Sequence, residues 1–206
     1  MEDVLDTYRL PYNPDIPVVC VDESCKQLLE DVRTKLSAKP GAIAKQDDEY
    51  IRNGVAEIFL GIEPLTGLLD ISVGEKRGRK EWADFIRHLL EDVFPNATKV
   101  KFIMDNLNTH SIASLYECFP PEKARALASR MEIHYTPKHG SWLDVAEIGL
   151  SILKSQCLNR RIADLKTMRE EVDAWMNERN ANLKPIKWHF TTDDARVKLL
   201  SLYPKI

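Results

Sequence analysis

The apolar positions of the chain follow two spacings, one typical of strands and one typical of helices. Five short runs rich in branched residues have the length and composition of strands. They lie at residues 18–21, 55–64, 68–75, 100–104 and 131–135. The second and third runs are separated only by Leu65-Thr66-Gly67, so they predict an antiparallel hairpin. The first run is followed by Asp22 and the fourth by Asp105, so two of the five predicted strands end at an aspartate.

Longer stretches place apolar residues at every third or fourth position, which predicts amphipathic helices. The clearest is residues 79–94, where Trp82, Phe85 and Leu89 share one face. Further helices are predicted at residues 111–119, 122–130, 142–158, 165–180 and 192–202. Ser141 is the expected cap of the helix that carries Glu147 in its first turns. The order of elements predicts an α/β fold with a mixed five-stranded sheet, flanking helices and a helical C-terminal end.

Composition and charge narrow the classes of protein to consider. Of 206 residues, 44% are hydrophobic and 30% are charged, which is typical of one globular domain. The four cysteines lack the paired spacing of a zinc site, and no apolar run reaches the ~18 residues of a membrane helix. We therefore expect a cytoplasmic protein. The net charge of −3 argues against a dedicated DNA-binding module, but not against a DNA enzyme that uses metal ions.

The two aspartates and one glutamate suggest a metal site. In open α/β sheets, ligand sites form at the carboxyl ends of strands, so Asp22 and Asp105 are expected to meet there. Glu147, projecting from a helix, is the expected third ligand. Three carboxylates form the oxygen-rich, incomplete cage that Mg²⁺ prefers, and such a cage suits phosphoryl transfer. Any one of these carboxylates, taken alone, is more often a solvated or capping residue.

Three sequence segments, taken in order, resemble the catalytic motifs of mariner-related bacterial insertion-sequence transposases. They are VVCVDE, MDNLNTH and HYTPKHGSWLDVAE. The resemblance runs over nearly the whole chain. It implies the ribonuclease H-like fold, with the triad Asp22, Asp105 and Glu147 at one edge of the sheet. It also implies Mg²⁺ as cofactor, with Mn²⁺ as a substitute, and hydrolysis at transposon ends followed by strand transfer into target DNA.

One residue of the third motif and one residue just after it depart from that family. Asp144 stands where the family usually has Asn, and Gly149 stands where a second acidic residue is common. The interval from Asp105 to Glu147 is also longer than usual. We expect the charge of Asp144 to alter metal affinity and Gly149 to weaken its helix by ~1 kcal/mol relative to Ala.

Supporting roles can be assigned to polar residues around the triad. Asn106 and Asp144 are candidates for the layer behind the metal ligands. His110 can orient a ligand carboxylate or contact DNA phosphate. The other candidates for DNA contact are Lys76, Arg77, Arg79, Lys80, Lys138, His139, Lys154, Arg160 and Arg161. Each of them is, alternatively, an ordinary solvated residue or part of a helix cap. Trp142, Trp175 and Trp188 are expected to pack in the core.

The expected partner is double-stranded DNA, comprising transposon ends and target, with a homodimer assembled on it near the bacterial nucleoid. Residues 1–16 are predicted to be an N-terminal arm or linker, and residues 17–206 the catalytic domain. Recognition of the ends would come from a missing helix-turn-helix segment or from a partner polypeptide. Two alternatives stay open, a non-catalytic regulatory remnant that binds DNA and a cellular ribonuclease H-like nuclease.

Overall fold

The computed structural model describes residues 1–138 and 140–203, and a mixed five-stranded sheet forms its centre. The strands are β1 (Val18–Asp31), β2 (Tyr50–Glu63), β3 (Leu68–Gly74), β4 (Val100–Met104) and β5 (Met131–Tyr135). Their order across the sheet is β3-β2-β1-β4-β5. β1, β4 and β5 are parallel, while β2 pairs antiparallel with both β1 and β3. The predicted five strands and the β2-β3 hairpin are therefore confirmed.

Seven α-helices flank the sheet in the described part of the chain. They are α1 (Glu2–Tyr8), α2 (Arg79–His88), α3 (Ile112–Cys118), α4 (Pro121–Ser129), α5 (Val145–Gln156), α6 (Leu165–Ala181) and α7 (Thr192–Lys198). α2 continues as a π-helical turn, Leu89–Val93. All six helices expected from the periodicity are present with somewhat different bounds. In the described residues, no helix has both the length and the apolar character needed to cross a membrane.

The two faces of the sheet are each covered by helices, because successive side chains of its central strands point in opposite directions. Cys20 and Ile103 belong to one core, which also contains apolar residues of α1, α5, α6 and α7. Val21 and Phe102 belong to the other core, beside residues of α2, α3 and α4. The parallel strands are thus buried on both sides, which explains why they are short, uninterrupted apolar runs in the sequence.

β1 is longer than the sequence predicts. It does not end at Asp22 but continues to Asp31, because β2 pairs with it over this whole length. Only the parallel pairing with β4 stops early, at Cys20 and Ile103. The second half of β1 is polar and partly exposed, so it lacks the apolar run that marked the first half.

α1 is the helix that the sequence did not predict. Val4 and Leu5 are fully buried in the core, and the ring of Tyr8 lies 4.9 Å from that of Trp188. The first residues therefore pack against the core on the α5 side of the sheet. The division of the chain at residue 17 stays a prediction.

The outer edge of β3 is covered by side chains from α6. Asn180 accepts a hydrogen bond from the Leu69 backbone N–H at 3.0 Å and donates one to the Leu69 carbonyl at 2.7 Å. Arg169 Nε donates to the Val73 carbonyl at 2.9 Å. These contacts occupy backbone groups that would otherwise be open on an edge strand.

Candidate active site

Asp22 and Asp105 lie beside each other on neighbouring strands. β1 and β4 pair in parallel with Val18 opposite Lys101 and Cys20 opposite Ile103. Continuing this register by two residues places Asp22 beside Asp105. Both strands are in the middle of the sheet. The two aspartates lie at the edge formed by the strand ends, just past the carboxyl end of the central parallel pairing, where α/β sheets form ligand sites.

Glu147 is placed by α5, which packs against β1 and β2. The helix begins after Asp144, whose Oδ1 accepts a hydrogen bond from the Ala146 backbone N–H at 2.9 Å. Asp144, rather than the predicted Ser141, is therefore the cap. Asn and Asp are both favourable caps because their side-chain oxygens can satisfy a free N–H of the first turn. This explains how Asp can stand where the related family has Asn.

Gly149 allows α5 to lie close to the sheet. A Cβ atom at this position would be 3.0 Å from Leu60 Cδ2 and 3.3 Å from Leu60 Cδ1. The position faces the apolar core, since Gly149 is buried and Leu60 is fully buried. An acidic side chain here would meet Leu60. The glycine therefore has a packing role in addition to its cost in helix propensity.

Burial and mutual repulsion raise the pKa of two carboxylates at the site. The pKa of Asp22 rises to about 6, first because of burial and then because of the charges of Glu23, Asp105 and Glu147, while a hydrogen bond from the Glu23 N–H lowers it. The pKa of Asp144 lies well above its usual value, again mainly from burial, with contributions from Asp22, Glu147 and Asp105. Asp22, Asp105, Asp144 and Glu147 therefore share one electrostatic neighbourhood.

Each of the three aspartates has one oxygen held by hydrogen bonds. Asp22 Oδ1 accepts from the Glu23 N–H at 2.8 Å, and Asp144 Oδ1 accepts from Ala146 as described. Asp105 Oδ1 is contacted by the Leu107 N–H at 3.3 Å and by His110 Nδ1 at 2.5 Å. Asp144 Oδ2 is buried and has no hydrogen-bond partner among the described residues. Such an unsatisfied buried oxygen is costly unless a proton or cation meets it.

His110 is enclosed between two carboxylates. Its side chain is 1% exposed, with Nδ1 on Asp105 Oδ1 and Nε2 at 2.9 Å from Glu23 Oε2. The Nε2 to Oε2 contact is at ion-pair distance but off the ideal hydrogen-bond direction. Burial lowers the pKa of His110, but the contacts with Asp105 and Glu23 outweigh this and raise the pKa to about 9. The imidazole is therefore a cation at neutral pH.

Comparison with protein families matches residues 17–169 to the DDE superfamily endonucleases. The chain belongs to this family. A search of curated protein sequences gives no match. The fold of this DDE superfamily endonuclease is ribonuclease H-like, and its sheet order and flanking helices agree with those of mariner transposase structures.

Solved structures of the Mos1 mariner transposase are similar to this DDE endonuclease. The paired end complex with Mg gives a TM-score of 0.57 at 16% identity, covering 86% of this chain and 52% of that chain. The paired end complex with Mn gives 0.55 at 16% identity, covering 85% and 52%. The strand transfer complex gives 0.54 at 14% identity, covering 78% and 47%. The chain thus spans about half the length of the Mos1 chains, and at these identities the likeness shows the fold alone.

The donor set of this chain fits a hard divalent cation. Asp22, Asp105, Asp144 and Glu147 offer carboxylate oxygens, and Asp144 Oδ2 lacks a partner in the described part of the chain. Oxygen ligands are those that Mg²⁺ prefers. In the described residues, no three His, Cys, Asp or Glu side chains converge closely enough to hold an ion in this arrangement. Binding would therefore draw the carboxylates together.

Among the sequence-predicted DNA contacts, four lysines are exposed and free of ion pairs within residues 1–138 and 140–203. They are Lys76, Lys80, Lys138 and Lys154. Lys76 follows β3, whose last residue, Gly74, is aligned through Glu57 with Cys25 of β1. Asp22 is aligned through Leu60 with Ile71. The segment 76–80 therefore lies beyond the level of Asp22 in the direction of β1, and two strands, or about 10 Å, to its side. Lys154 is two turns beyond Glu147 on α5.

The predicted arginines are engaged within the DDE endonuclease. Arg77 pairs with Glu57 at 3.6 Å, while Arg79 pairs with Glu117 and Arg160 with Glu171. Arg161 contacts Asp31 at 2.7 Å and donates to the carbonyls of Asp48 and Glu49. Arg161 therefore holds the base of the segment that joins β1 to β2.

The remaining residues predicted from the sequence differ in how far they are exposed. Asn106 is exposed next to Asp105. His110 is too deeply buried to reach a phosphate from its present position, which favours the alternative of orienting a carboxylate. His139 lies outside the described residues.

Trp142 is 44% exposed, with its ring 5.6 Å from Phe190, so its expected place in the core was wrong. Trp175 and Trp188 pack against the core as expected.

Two residues near the site were not singled out from the sequence. One is Glu23, the partner of His110. The other is Lys26, whose pKa is lowered by burial and then by the charge of Lys154. Lys26 lies four residues after Asp22 on the same strand, so the strand period places both on one face. That period was a signal for Lys26, whereas no local pattern reveals that His110 folds back onto Glu23.

Proposed function

We propose that this chain is the catalytic domain of a DNA transposase related to mariner-type bacterial insertion sequences. It hydrolyses phosphodiester bonds at transposon ends and joins the ends to target DNA. The observation that carries the proposal is that Asp22, in β1, and Asp105, directly after β4, lie just past the end of the central parallel pairing, beside the helix that bears Glu147. In a DDE superfamily endonuclease, these are the residues that the sequence motifs mark as the triad.

Asp22, Asp105 and Glu147 would hold Mg²⁺, with Mn²⁺ as a substitute. When bound, such an ion supplies Lewis acidity that activates an attacking water or 3′ hydroxyl and stabilises the leaving oxygen. The protein's own contribution is to bring these carboxylates into one neighbourhood against their mutual repulsion, from which an ion would draw them together. The raised pKa of Asp22 expresses that repulsion together with burial. A cation bound there would relieve it.

Asp144 and Asn106 support the ligands from behind in this proposal. Asp144 fixes the first turn of α5 through the Ala146 N–H, and thereby the position from which Glu147 projects. Its buried Oδ2 has no hydrogen-bond partner in the described part of the chain, so a proton or a cation is needed there to offset the cost of burial. Asn106 is exposed beside Asp105 and can contact the DNA backbone or a metal-bound water.

Duplex DNA is the proposed partner, held mainly through its phosphates. Lys76, Lys80, Lys138 and Lys154 are the leading contacts because they are exposed, and Lys26 adds a fifth positive charge next to Lys154. Arg77, Arg79 and Arg160 can contribute if DNA displaces their carboxylate partners, and His139 is added from the sequence alone. We further propose that the protein acts as a homodimer on DNA, and that a helix-turn-helix segment or partner polypeptide recognises the ends.

The test is a cleavage assay on supercoiled plasmid and on duplex oligonucleotides with Mg²⁺, Mn²⁺, Ca²⁺ or EDTA. We expect cleavage with Mg²⁺ and Mn²⁺, DNA binding without turnover in Ca²⁺, and no cleavage in EDTA. Asp22→Asn, Asp105→Asn and Glu147→Gln should each abolish cleavage. Glu122→Gln, on the exposed first turn of α4, is the matched control and should cleave normally.

Several outcomes would count against the proposal. Cleavage that survives EDTA would exclude the metal mechanism. Preferential cleavage of an RNA-DNA hybrid over duplex DNA would favour a cellular ribonuclease H-like nuclease. DNA binding without any cleavage, together with Mn²⁺ binding that does not depend on Asp22, would favour the regulatory remnant.

A further inference from the structure

Glu23 and His110 form a buried bridge that reaches Asp105 from the side of the sheet opposite α5. Asp22 and Glu23 are successive residues of β1, so their side chains leave the strand on opposite faces. Glu23 therefore lies on the face covered by α2 and α3, where its carboxylate is 7% exposed. His110 lies between this carboxylate and Asp105, and so connects β1 to the loop that follows β4.

His110 is held by a stacking contact on its ring and by two hydrogen bonds to its backbone. The Trp82 ring of α2 stacks on it with centroids 5.8 Å apart and planes inclined by 21°. The Tyr135 hydroxyl of β5 donates to the His110 carbonyl at 2.7 Å, and the His110 backbone N–H donates to the Leu107 carbonyl at 3.0 Å. Neither the ring nor its backbone can shift without breaking packed contacts.

The bridge reaches one oxygen of the Asp105 carboxylate, and His110 Nδ1 also lies 3.4 Å from the Asp105 backbone carbonyl. His110 Nδ1 contacts Asp105 Oδ1 at 2.5 Å, and the Leu107 N–H approaches the same oxygen at 3.3 Å. Both contacts hold Oδ1 and leave Oδ2 for a ligand. The Asp105 carboxylate is 38% exposed, so a side chain without these contacts would sample several rotamers. Hydrogen bonds behind a ligating carboxylate fix its orientation and are worth about 10- to 100-fold in metal affinity or activity.

We propose that Glu23 and His110 are positioning residues, which hold Asp105 so that its free oxygen meets the same ion as Asp22. This inference rests on the proposed function, because it concerns the site that Asp22, Asp105 and Glu147 would form. Glu23 touches neither the reacting atoms nor the proposed ion. It acts through His110, whose Nε2 it faces, and His110 in turn acts through Asp105.

The decisive measurement is Mn²⁺ binding without DNA, followed by electron paramagnetic resonance of the free ion, for Glu23→Gln and His110→Gln. Both substitutions keep roughly the volume of the side chain and remove one member of the bridge. We expect each to weaken Mn²⁺ binding by about tenfold or more. The double variant should bind Mn²⁺ at most a few fold more weakly than either single variant, because the two residues act as one unit.

Glu63→Gln is the matched control for a purely structural effect. Glu63 is a buried carboxylate, 1% exposed, on the neighbouring strand β2, where it accepts hydrogen bonds from the Leu65 and Thr66 N–H groups. Its replacement should lower the thermal midpoint and leave Mn²⁺ binding unchanged. In cleavage assays, Glu23→Gln should need more Mn²⁺ for half-maximal rate and regain most of the parent rate at saturating Mn²⁺.

The results distinguish a failure of the positioning role of Glu23 and His110 from a failure of the proposed metal site. If Asp22→Asn abolishes Mn²⁺ binding while Glu23→Gln and His110→Gln bind as the parent does, the site stands and the positioning role is wrong. Equal losses of Mn²⁺ affinity in Glu63→Gln would also overturn it. If Asp22→Asn leaves Mn²⁺ binding intact, or the parent binds none, the proposed metal site itself fails.

Discussion

The two sides of the candidate site differ in whether a positively charged side chain lies beside their carboxylates. On the side of α2 and α3, Asp105 faces the His110 cation, which is itself backed by Glu23. On the side of α5, Asp22 and Asp144 share a neighbourhood with Glu147, and the pKa values of both aspartates are raised. One side carries its own countercharge, whereas the other accumulates negative charge.

This difference indicates which part of the site depends on an added cation. A carboxylate that is already paired gains little from a metal ion except orientation. Carboxylates held together in partial burial gain the relief of desolvation and repulsion. The α5 side therefore has the features of a site assembled for an ion, while the opposite side has those of a fixed support. Four predictions, ordered by the size of the effect, test this contrast.

The largest effect is expected from removing a ligand carboxylate. Asp105→Asn should lower DNA cleavage by at least ~100-fold, since it removes an interaction made with the reacting centre. It should retain or slightly strengthen metal-free DNA binding, because a negative charge that repels phosphate is lost. Filter binding and cleavage on the same oligonucleotide measure both quantities. Parent-like cleavage by Asp105→Asn would refute the catalytic assignment.

The second prediction concerns the packing of α5. Gly149→Asp would place a carboxylate against Leu60 in an apolar environment and should lower the free energy of unfolding by about 2–4 kcal/mol. Gly149→Ala should change it by ~1 kcal/mol or less, because better helix propensity offsets the close contact with Leu60. Urea unfolding provides the comparison. Equal stability of both variants would mean that α5 is not held closely against β2.

The third prediction uses the raised pKa of Asp22. With a pKa of about 6 in the folded protein against 3.8 as the usual value, the folded state binds this proton more tightly than the unfolded chain does. The resulting stabilisation is complete below pH 3.8 and is lost as the pH rises through 6. Asp22→Asn should therefore stabilise the metal-free protein by about 1–2 kcal/mol at pH 7.5, after allowance for solvent screening.

The same variant should show no such gain at pH 4, where Asp22 is largely protonated in the folded state. Mg²⁺ should raise the thermal midpoint of the parent protein at pH 7.5 and leave that of Asp22→Asn unchanged. A stability difference independent of pH would contradict the assignment of the raised pKa to this carboxylate.

The smallest effect is expected from a single phosphate contact. Lys154→Gln should weaken duplex DNA binding a few fold and reduce the salt dependence by about one charge, with the rate at saturating DNA unchanged. Arg161→Gln is the informative comparison, because Arg161 contacts Asp31 and two backbone carbonyls. It should lower stability more than it alters the salt dependence. If Arg161→Gln reduced the salt dependence and Lys154→Gln did not, Arg161 rather than Lys154 would be the DNA contact.

Much of the fold follows from local apolar patterns, because buried strands and amphipathic helices need particular residues at particular spacings. The runs that precede Asp22 and Asp105 are predictable for this reason. The second half of β1 is not, since its polar residues owe their extended form to pairing with β2. α1 escaped prediction because its pattern spans only seven residues.

The candidate site likewise has a part that the sequence predicts and a part that it does not. Asp22, Asp105 and Glu147 are recognisable because they follow apolar runs or lie in the first turn of a helix, within ordered motifs. The cap formed by Asp144 and the packing role of Gly149 depend on how closely α5 approaches the sheet. The Glu23 to His110 contact joins residues 87 positions apart, 110 minus 23, across a turn whose direction no local pattern specifies.

The outer edge of β3 is covered by side chains of α6, which matters for synthesis and truncation of the chain. α6 is made after the whole sheet, so β3 remains open to pairing with other chains until Asn180 reaches Leu69. A fragment ending at residue 169, where the family match ends, would keep Arg169 but lose Asn180. Its exposed edge would be a template for intermolecular β-sheet. α6 thus protects the chain from aggregation through β3, and a minimal fragment must extend beyond the family boundary to avoid this association.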